Sequence, residues 1–385
     1  MERMRSKIIR ATTVPMSLDT FCNGMLKTLS EKYEVVALSS PGEEMQVIAE
    51  REGVRTIEVP MERHISFFKD IVSLWRLIWV FRKEKPTMVH SMTPKAGLLC
   101  MMAAWMAHVP VRVHTFTGLV FPTASGLKRK ILMTTDWLTC ACATHIIPEG
   151  DGVKNDLLNN GITKKPIRVL GHGNVRGVDM EFYSRRKEVM DIVIQEALKS
   201  QYFTFLFVGR IVKDKGIDEL CQAFDQLSGI TPVRLLLVGP YEDSLDPISQ
   251  KSRDIIAKNP NVKAVGAKSG DELLAYYASS DCFVFPSYRE GFPNTVLEAG
   301  AMGLPSIVTD INGSREIVIP RRNGVIIPPR DAEALFQAML DMMRDGIARE
   351  HMAANARHLI ASRYEQSYVR QCLYDFYDEI LAPYQ

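Results

Sequence analysis

Short runs rich in β-branched and aromatic residues alternate with longer amphipathic segments along almost the whole chain, and this alternation constrains the fold more than any other feature. It is the pattern of parallel strands joined by crossover helices. In the first half, strands are expected near 7–13, 34–39, 54–59, 87–90, 111–115, 144–147 and 167–170. Helices are expected between them, at about 19–31, 43–52, 66–84, 95–107, 126–141 and 150–160. The segment GNVRGVDMEFYSRRKEV (173–189) breaks the rhythm with glycine and charge before a second series begins. That series has strands near 203–208, 233–238, 262–265, 281–285, 305–308 and 324–327, and helices near 214–228, 248–258, 270–279, 294–302 and 332–344. A chain of 385 residues exceeds one ordinary core. The fold class is therefore α/β, with two doubly wound domains at 1–175 and 176–365. The tail is helical from about 347 to 381, and its last part, 366–385, is expected to cross back onto the first domain.

The composition is that of a soluble globular protein, 46% hydrophobic and 24% charged. A net charge of +2 is nearly balanced and argues against a nucleic-acid partner. The seven cysteines include no CxxC pair and no Cys/His cluster of zinc spacing, and read as buried free thiols in a reducing compartment. The basic start MERMRSKIIRATTV lacks the apolar core of a secretory signal. No stretch reaches the roughly 18 apolar residues of a membrane span. AGLLCMMAAWMA (96–107) and IVSLWRLIWVF (71–81), the latter broken by Arg76, come closest. The expected location is cytoplasmic.

Two stretches carry the chemistry. FVGRIVKDKG (207–216) ends a strand at Gly209 and places Arg210, Lys213 and Lys215 at the entry to a helix. Fixed cations at a helix N-terminus suit a diphosphate, although a basic helix start on a solvated surface has the same sequence pattern. There is no GxxxxGK[ST] loop and no GxGxxG after the first strand. The second stretch, REGFPNTVLEAGAMGLPSIVTDINGSREIV (289–318), follows the buried strand of CFVFPSY and delivers Arg289 and Glu290. Pro293 and Asn294 then start a helix, with Asn294 suited to the N-cap. Glu298 sits about one turn into it. An ionised carboxylate only accepts hydrogen bonds and takes two hydroxyl protons at once, so each glutamate suits a vicinal diol. Taken singly, Glu298 is also an ordinary acid near a helix start, and Glu290 a loop acid beside Arg289.

Together, FVGR…DKG and FPSYREGFPNTVLEAGAMGLPSIVT resemble the retaining, nucleotide-sugar glycosyltransferases of the GT-B fold (family 4), whose E-x7-E pattern is met by Glu290 and Glu298. The likeness is specific over about 203–345 and looser before it. It implies two Rossmann-like domains facing each other across a cleft, acceptor-binding first and donor-binding second. It implies that Arg210 and Lys215 hold the donor diphosphate in place of a metal, with Gly209 at the strand end. Glu298 would bind the nucleotide ribose and Glu290 the donor-sugar hydroxyls. The backbone of Gly291, Phe292, Pro293, Asn294 and Thr295 would line sugar and phosphates. No metal or other cofactor is implied. In such retaining enzymes the acceptor hydroxyl attacks on the leaving-group face, with the departing phosphate as base, so no side-chain nucleophile is required.

In the first half, VRVHTFTGLVF brings His114 to a strand end, where the family often carries a histidine near the donor sugar; a hydrogen-bonded core histidine is the other reading. His90, also at a strand end, and His172 have no assigned role. GHGNVRGVD (171–179) resembles the family's Asn-Gly-Val-Asp hinge but has Val-Arg inserted after Asn174. The glycine-rich loop that many relatives carry after the first strand is here TTVPMSLDTFCNGML, with only Gly24. In 63–85, Phe67, Phe68, Leu74, Trp75, Leu77, Ile78, Trp79 and Phe81 are set among Arg63, Lys69, Arg76, Arg82, Lys83 and Lys85, and FPTASGLKRKIL (121–132) adds a second basic-apolar patch. Such a helix lies in a membrane interface or packs on a sheet with snorkelling lysines. With the segment HSMTPKAGLL (90–99), the resemblance points to a UDP-linked donor and a polyprenyl-diphosphate-linked glycan acceptor in capsule or O-antigen assembly, and to a peripheral place on the inner face of the cell membrane. A sugar-nucleotide epimerase, a phosphorylase of the same fold and a non-catalytic sugar-nucleotide-binding protein are the alternatives, separated from a transferase by product analysis with an acceptor.

Overall fold

In a computed structural model, which describes residues 5–62, 66–243 and 246–384, the chain forms two units, Met1–Gly177 with Ser367–Gln385 and Val178–Gln366. The first contains six parallel strands, Lys7–Ala11 (β1), Glu34–Ser39 (β2), Arg55–Glu58 (β3), Met88–Met92 (β4), Val111–Phe116 (β5) and His145–Pro148 (β6), in the order β3-β2-β1-β4-β5-β6. The second repeats the plan with Phe203–Val208 (β7), Val233–Val238 (β8), Val262–Ala264 (β9), Cys282–Phe285 (β10), Ser306–Thr309 (β11) and Gly324–Ile327 (β12), ordered β12-β11-β10-β7-β8-β9. Strands such as FTFLFV and CFVF are apolar on both faces because helices cover both sides of a parallel sheet. In each unit the order reverses beside the first strand, and the loops leaving the carboxyl ends there open a crevice.

Three expected elements are corrected. The strand at 167–170 is a single bridge, Ile167 to Ile146, after Pro166, which has no N–H to donate to a ladder. The helix at 19–31 is two helices, Pro15–Cys22 and Met25–Ser30, broken at Gly24. There the buried Glu52 carboxylate takes the amides of Gly24 (2.8 Å) and Lys27 (3.1 Å), satisfying donors that a new helix start leaves open. The tail is also two helices, Gly346–Tyr364 and Gln366–Leu381. At the break, the Val178 amide donates to Tyr364 O and Val178 O accepts from the Gln366 amide.

The helix Gln366–Leu381 packs on the first sheet through Leu373, Phe376, Tyr377 and Leu381. Its Tyr377 hydroxyl meets Arg10 and His90 in the interior, and Asp378 pairs with Lys32 at 2.6 Å. All seven cysteines are free thiols, and burial raises Cys100, Cys140 and Cys221 to about 12. Among the described residues, no helix is long and apolar enough to cross a membrane.

Candidate active site

The loops after β7 and β10 leave neighbouring strands at the reversal of the second sheet, and they hold most of the residues singled out above. They touch backbone to backbone at Gly216, where φ is +70° and an added Cβ would lie 2.1 Å from the Pro286 carbonyl oxygen. Only glycine fits there. The Tyr288 amide donates to Asp214 O (2.8 Å), and Arg289 pairs with Asp214 at 3.0 Å, so the second loop is tied to the first at several points.

On this frame Lys215 and Glu290 form an ion pair. The same glutamate oxygen accepts from Ser287 Oγ at 2.7 Å, and Lys215 Nζ stands 5.1 Å from the Phe285 ring centroid. The side chains are only 17% and 16% exposed, so their charges are screened less than those of a surface pair. An ammonium has three donors, and pairing with Glu290 uses one. The pair thus offers a cation and a carboxylate acceptor side by side at the mouth of the crevice.

The other expected residues divide. Arg210 does not join Lys215; it pairs with Glu242 on the loop after β8 and is half exposed. The helix Ile217–Ser228 offers less to an anion than expected, because Asp218 and Glu219 occupy its first turn. Asp218 is held by the Ser249 amide (2.9 Å) and Ser252, and Glu219 by the Tyr288 hydroxyl (2.7 Å). Glu298 lies on the helix Asn294–Ala301 and is 6% exposed. Its oxygens accept from Tyr183 Oη (2.8 Å) and Tyr277 Oη (3.2 Å). The N-cap is Pro293, not Asn294: with φ −72° and ψ 106° the ring fits the non-helical turn, and Asn294 becomes the first helical residue. The side chain of Phe292 turns inward against Tyr364, 5.4 Å between centroids. The Gly291–Pro293 backbone rests on Gly313, whose added Cβ would lie 2.5 Å from Gly291 O. Beside it, Ser314 Oγ is buried without a hydrogen-bond partner.

His114 lies in the core of the first unit, 1% exposed, with Nδ1 at 2.9 Å from Ser91 Oγ and its ring edge-on to Phe116. Gly97 faces the ring so closely that a Cβ would lie 2.3 Å from Cε1. Burial lowers its pKa to about 3 and keeps the ring neutral. This is the arrangement of a core histidine, the second of the two readings of His114. His90 is buried too, bonded to Arg10 and to Thr115 Oγ1 (2.7 Å), its pKa held low by burial and by Arg10. Asn174 has φ +62°, and its Oδ1 accepts from the amides of Arg176 (3.0 Å) and Gly177 (2.7 Å), so the inserted Val-Arg is folded into an Asx turn. His172 packs beside Tyr368.

The sequence reading missed Asp214, Ser287, Tyr183 and Tyr277. Asp214 and Ser287 lie inside the quoted motifs, where a polar residue at a strand's carboxyl end was the available signal. No local signal marks the two tyrosines.

Comparison with known proteins gives the class first. The chain matches the Anabaena HepE crystal structure with UDP-glucose at a TM-score of 0.79 and 16% identity, over 97% of this chain and 100% of that one. WaaG, described as a glycosyltransferase involved in lipopolysaccharide biosynthesis, matches at 0.69 and 15% identity, over 94% and 98%. The fold is therefore GT-B. The family profile "Glycosyl transferases group 1" matches residues 190–359, and "Glycosyl transferase 4-like domain" matches 20–173. The capsular polysaccharide biosynthesis glycosyltransferase CapM of Staphylococcus aureus is 31% identical over 378 residues, 97% of each chain. The UDP-Gal:alpha-D-GlcNAc-diphosphoundecaprenol alpha-1,3-galactosyltransferase of Escherichia coli is 26% identical over 320 residues, 81% of this chain and 80% of that one. The chain belongs to the group 1 glycosyltransferases.

Proposed function

We propose that the chain transfers a sugar, with retention of configuration, from a UDP-sugar to a hydroxyl of a glycan on a polyprenyl diphosphate, in assembly of a bacterial surface polysaccharide. The observation that carries this reading is the Lys215–Glu290 pair between the loops after β7 and β10. The donor diphosphate takes the remaining donors of Lys215, with Arg210 swinging from Glu242 to join it. Glu290 accepts from hydroxyls of the donor sugar, and the Gly291–Thr295 backbone lines the same space. Glu298 accepts from the ribose beside its two tyrosines. The sugar C1–O bond breaks with its electron pair passing to the diphosphate, and the growing negative charge meets a pre-positioned ammonium. The acceptor oxygen bonds to C1 on the same face while its proton passes to the departing phosphate. The names of the capsule and diphosphoundecaprenol-dependent relatives support the acceptor class.

The direct test is thermal unfolding with nucleoside diphosphates and UDP-, GDP- and ADP-sugars, without metal. Binding to the native state raises the melting temperature by mass action, and at a hundredfold excess over Kd by about 2.7 kcal/mol of stability. UDP ligands are expected to shift it, and transfer is expected to survive chelator. Strict dependence on Mg²⁺ or Mn²⁺ would contradict the cationic site.

Contact with a membrane surface belongs to the same reading. On the helix Phe67–Glu84, Leu77, Ile78 and Phe81 pack inward. Phe67, Phe68, Trp75 and Trp79 point outward among exposed Arg76, Arg82 and Lys83. Arg63 lies outside the described residues. The helix Pro94–Met106 packs against this one and against Gly126–Cys142, which add exposed Trp105, Leu127 and Trp137. Aromatic and basic side chains on adjacent helices suit an anionic bilayer interface. Sedimentation with anionic vesicles is expected to capture the protein, and Trp75→Ser/Trp79→Ser to release it; equal capture of the variant would refute this contact.

A further inference from the structure

The two oxygens of the Glu290 carboxylate stand in different situations. Oε1 takes both of the carboxylate's hydrogen bonds, from Lys215 Nζ and from Ser287 Oγ (2.7 Å). Oε2 has no partner among the described residues, yet it is not one of the buried atoms left without one, so it keeps an accessible surface. Lys215 cannot create this asymmetry, because an ammonium is a compact charge whose three donors rotate. Nor can the glutamate itself, since the torsion that turns its carboxylate is broad and roughly two-fold. The orienting group is the Ser287 hydroxyl.

Ser287 is held as such a group must be. It is 0% exposed, and its Oγ also lies 3.2 Å from Asp214 O and from Arg289 O. A hydroxyl has one proton to give, and the shortest contact, to the charged carboxylate, takes it. The main chain is fixed on both sides of this side chain. The preceding Pro286 carbonyl lies against Gly216, and the Ser287 carbonyl accepts from the Thr309 hydroxyl. The ladder between β10 and β11 ends at Phe285 and Val308; Thr309, the next residue of β11, continues it with its side chain. Thr309 is itself buried. A hydrogen-bonded line therefore runs from β11 through Ser287 to Glu290, and both hydroxyls in it are shut off from water.

We propose that Ser287, braced by Thr309, is a positioning residue for the donor sugar. It commits Oε1 to the loop and to Lys215 and leaves Oε2 as the acceptor for a sugar hydroxyl. Without it the carboxylate turns about its last bond and offers both oxygens to Lys215, which removes the free acceptor. Lys215 keeps a donor for the diphosphate in either orientation, so the nucleotide half of the donor is held as before. This rests on the transferase reading above and deepens its donor site: neither hydroxyl touches the sugar, and both act through Glu290.

Calorimetry on the full chain with UDP, UDP-glucose, UDP-galactose and UDP-N-acetylglucosamine separates sugar from nucleotide. Ser287→Ala is expected to weaken the best-bound UDP-sugar about tenfold, the cost of one hydrogen bond to a charged group, and to leave UDP within about twofold. Thr309→Val, of nearly the same shape, is expected to act in the same direction by about threefold. Added to Ser287→Ala, it should cost less than about twofold more, because its effect passes through Ser287. Ser279→Ala is the control: it removes an equally buried hydroxyl that bonds only Tyr276 O on its own helix (3.1 Å), and should change neither affinity. Equal weakening of UDP and UDP-sugar by Ser287→Ala would make the hydroxyl merely structural and overturn the proposal, as would an unchanged ratio between them. Full additivity of Ser287→Ala and Thr309→Val would overturn it too, since the two hydroxyls would then act separately. Failure of all four ligands to bind the unmodified protein would instead overturn the donor reading, and this inference with it.

Discussion

Lys215→Ala is expected to lower kcat/KM for transfer by about 10²–10³-fold, the usual cost of removing one pre-positioned group that meets transition-state charge. Two effects act in the same direction. The ammonium that offsets charge on the leaving diphosphate disappears, and the Glu290 carboxylate, only 16% exposed, is left as an unpaired negative charge beside it. Glu290→Gln with Lys215→Ala then separates the two effects. If repulsion from Glu290 contributes, the double variant is faster than the product of the single effects predicts. Lys215→Arg should recover only part of the rate, because a planar guanidinium on a longer stem places its donors differently. The fold should persist, since Ser287 still donates to Glu290 and the loops remain joined through Asp214. A Lys215→Ala rate within about tenfold of the unmodified enzyme would remove the site from the mechanism.

Gly216→Ala is expected to destabilise the second unit by about 3 kcal/mol or more, and to reduce transfer along with stability. The new methyl would need to sit 2.1 Å from the Pro286 carbonyl oxygen, at φ +70°. That carbonyl belongs to backbone, so the loop itself must move, and Ser287 to Glu290 follow directly after it. Gly53 is the control: it has φ +66° but nothing within 4 Å of an added Cβ. Gly53→Ala should therefore cost only the left-handed conformation, about 1 kcal/mol. Thermal or denaturant unfolding of both variants decides. Equal losses would show that conformational preference, rather than the contact between the loops, makes Gly216 necessary.

Residues 167–170 have the composition of a strand, yet only Ile167 pairs with the edge strand β6, because Pro166 before it has no N–H for a ladder. The helix break at Gly24 depends on Glu52, 28 residues away in sequence. His114 ends its strand where a catalytic histidine would, but the ring is enclosed by Ser91, Gly97 and Phe116 from the neighbouring strand, the following helix and its own strand.

Periodicity alone sufficed for twelve strands and nearly all the helices, since burial on a sheet or helix face repeats every two or every 3.6 residues. Turn chemistry sufficed for the two loops carrying Lys215 and Glu290, because glycine and proline restrict the backbone locally. Which charges and hydroxyls meet was beyond that reach. Tyr183 and Tyr277 reach Glu298 from 115 and 21 residues away, and Arg210 finds Glu242 on the loop after β8. Such partners are chosen by crossover connections and strand order, which bring together residues with no local pattern in common.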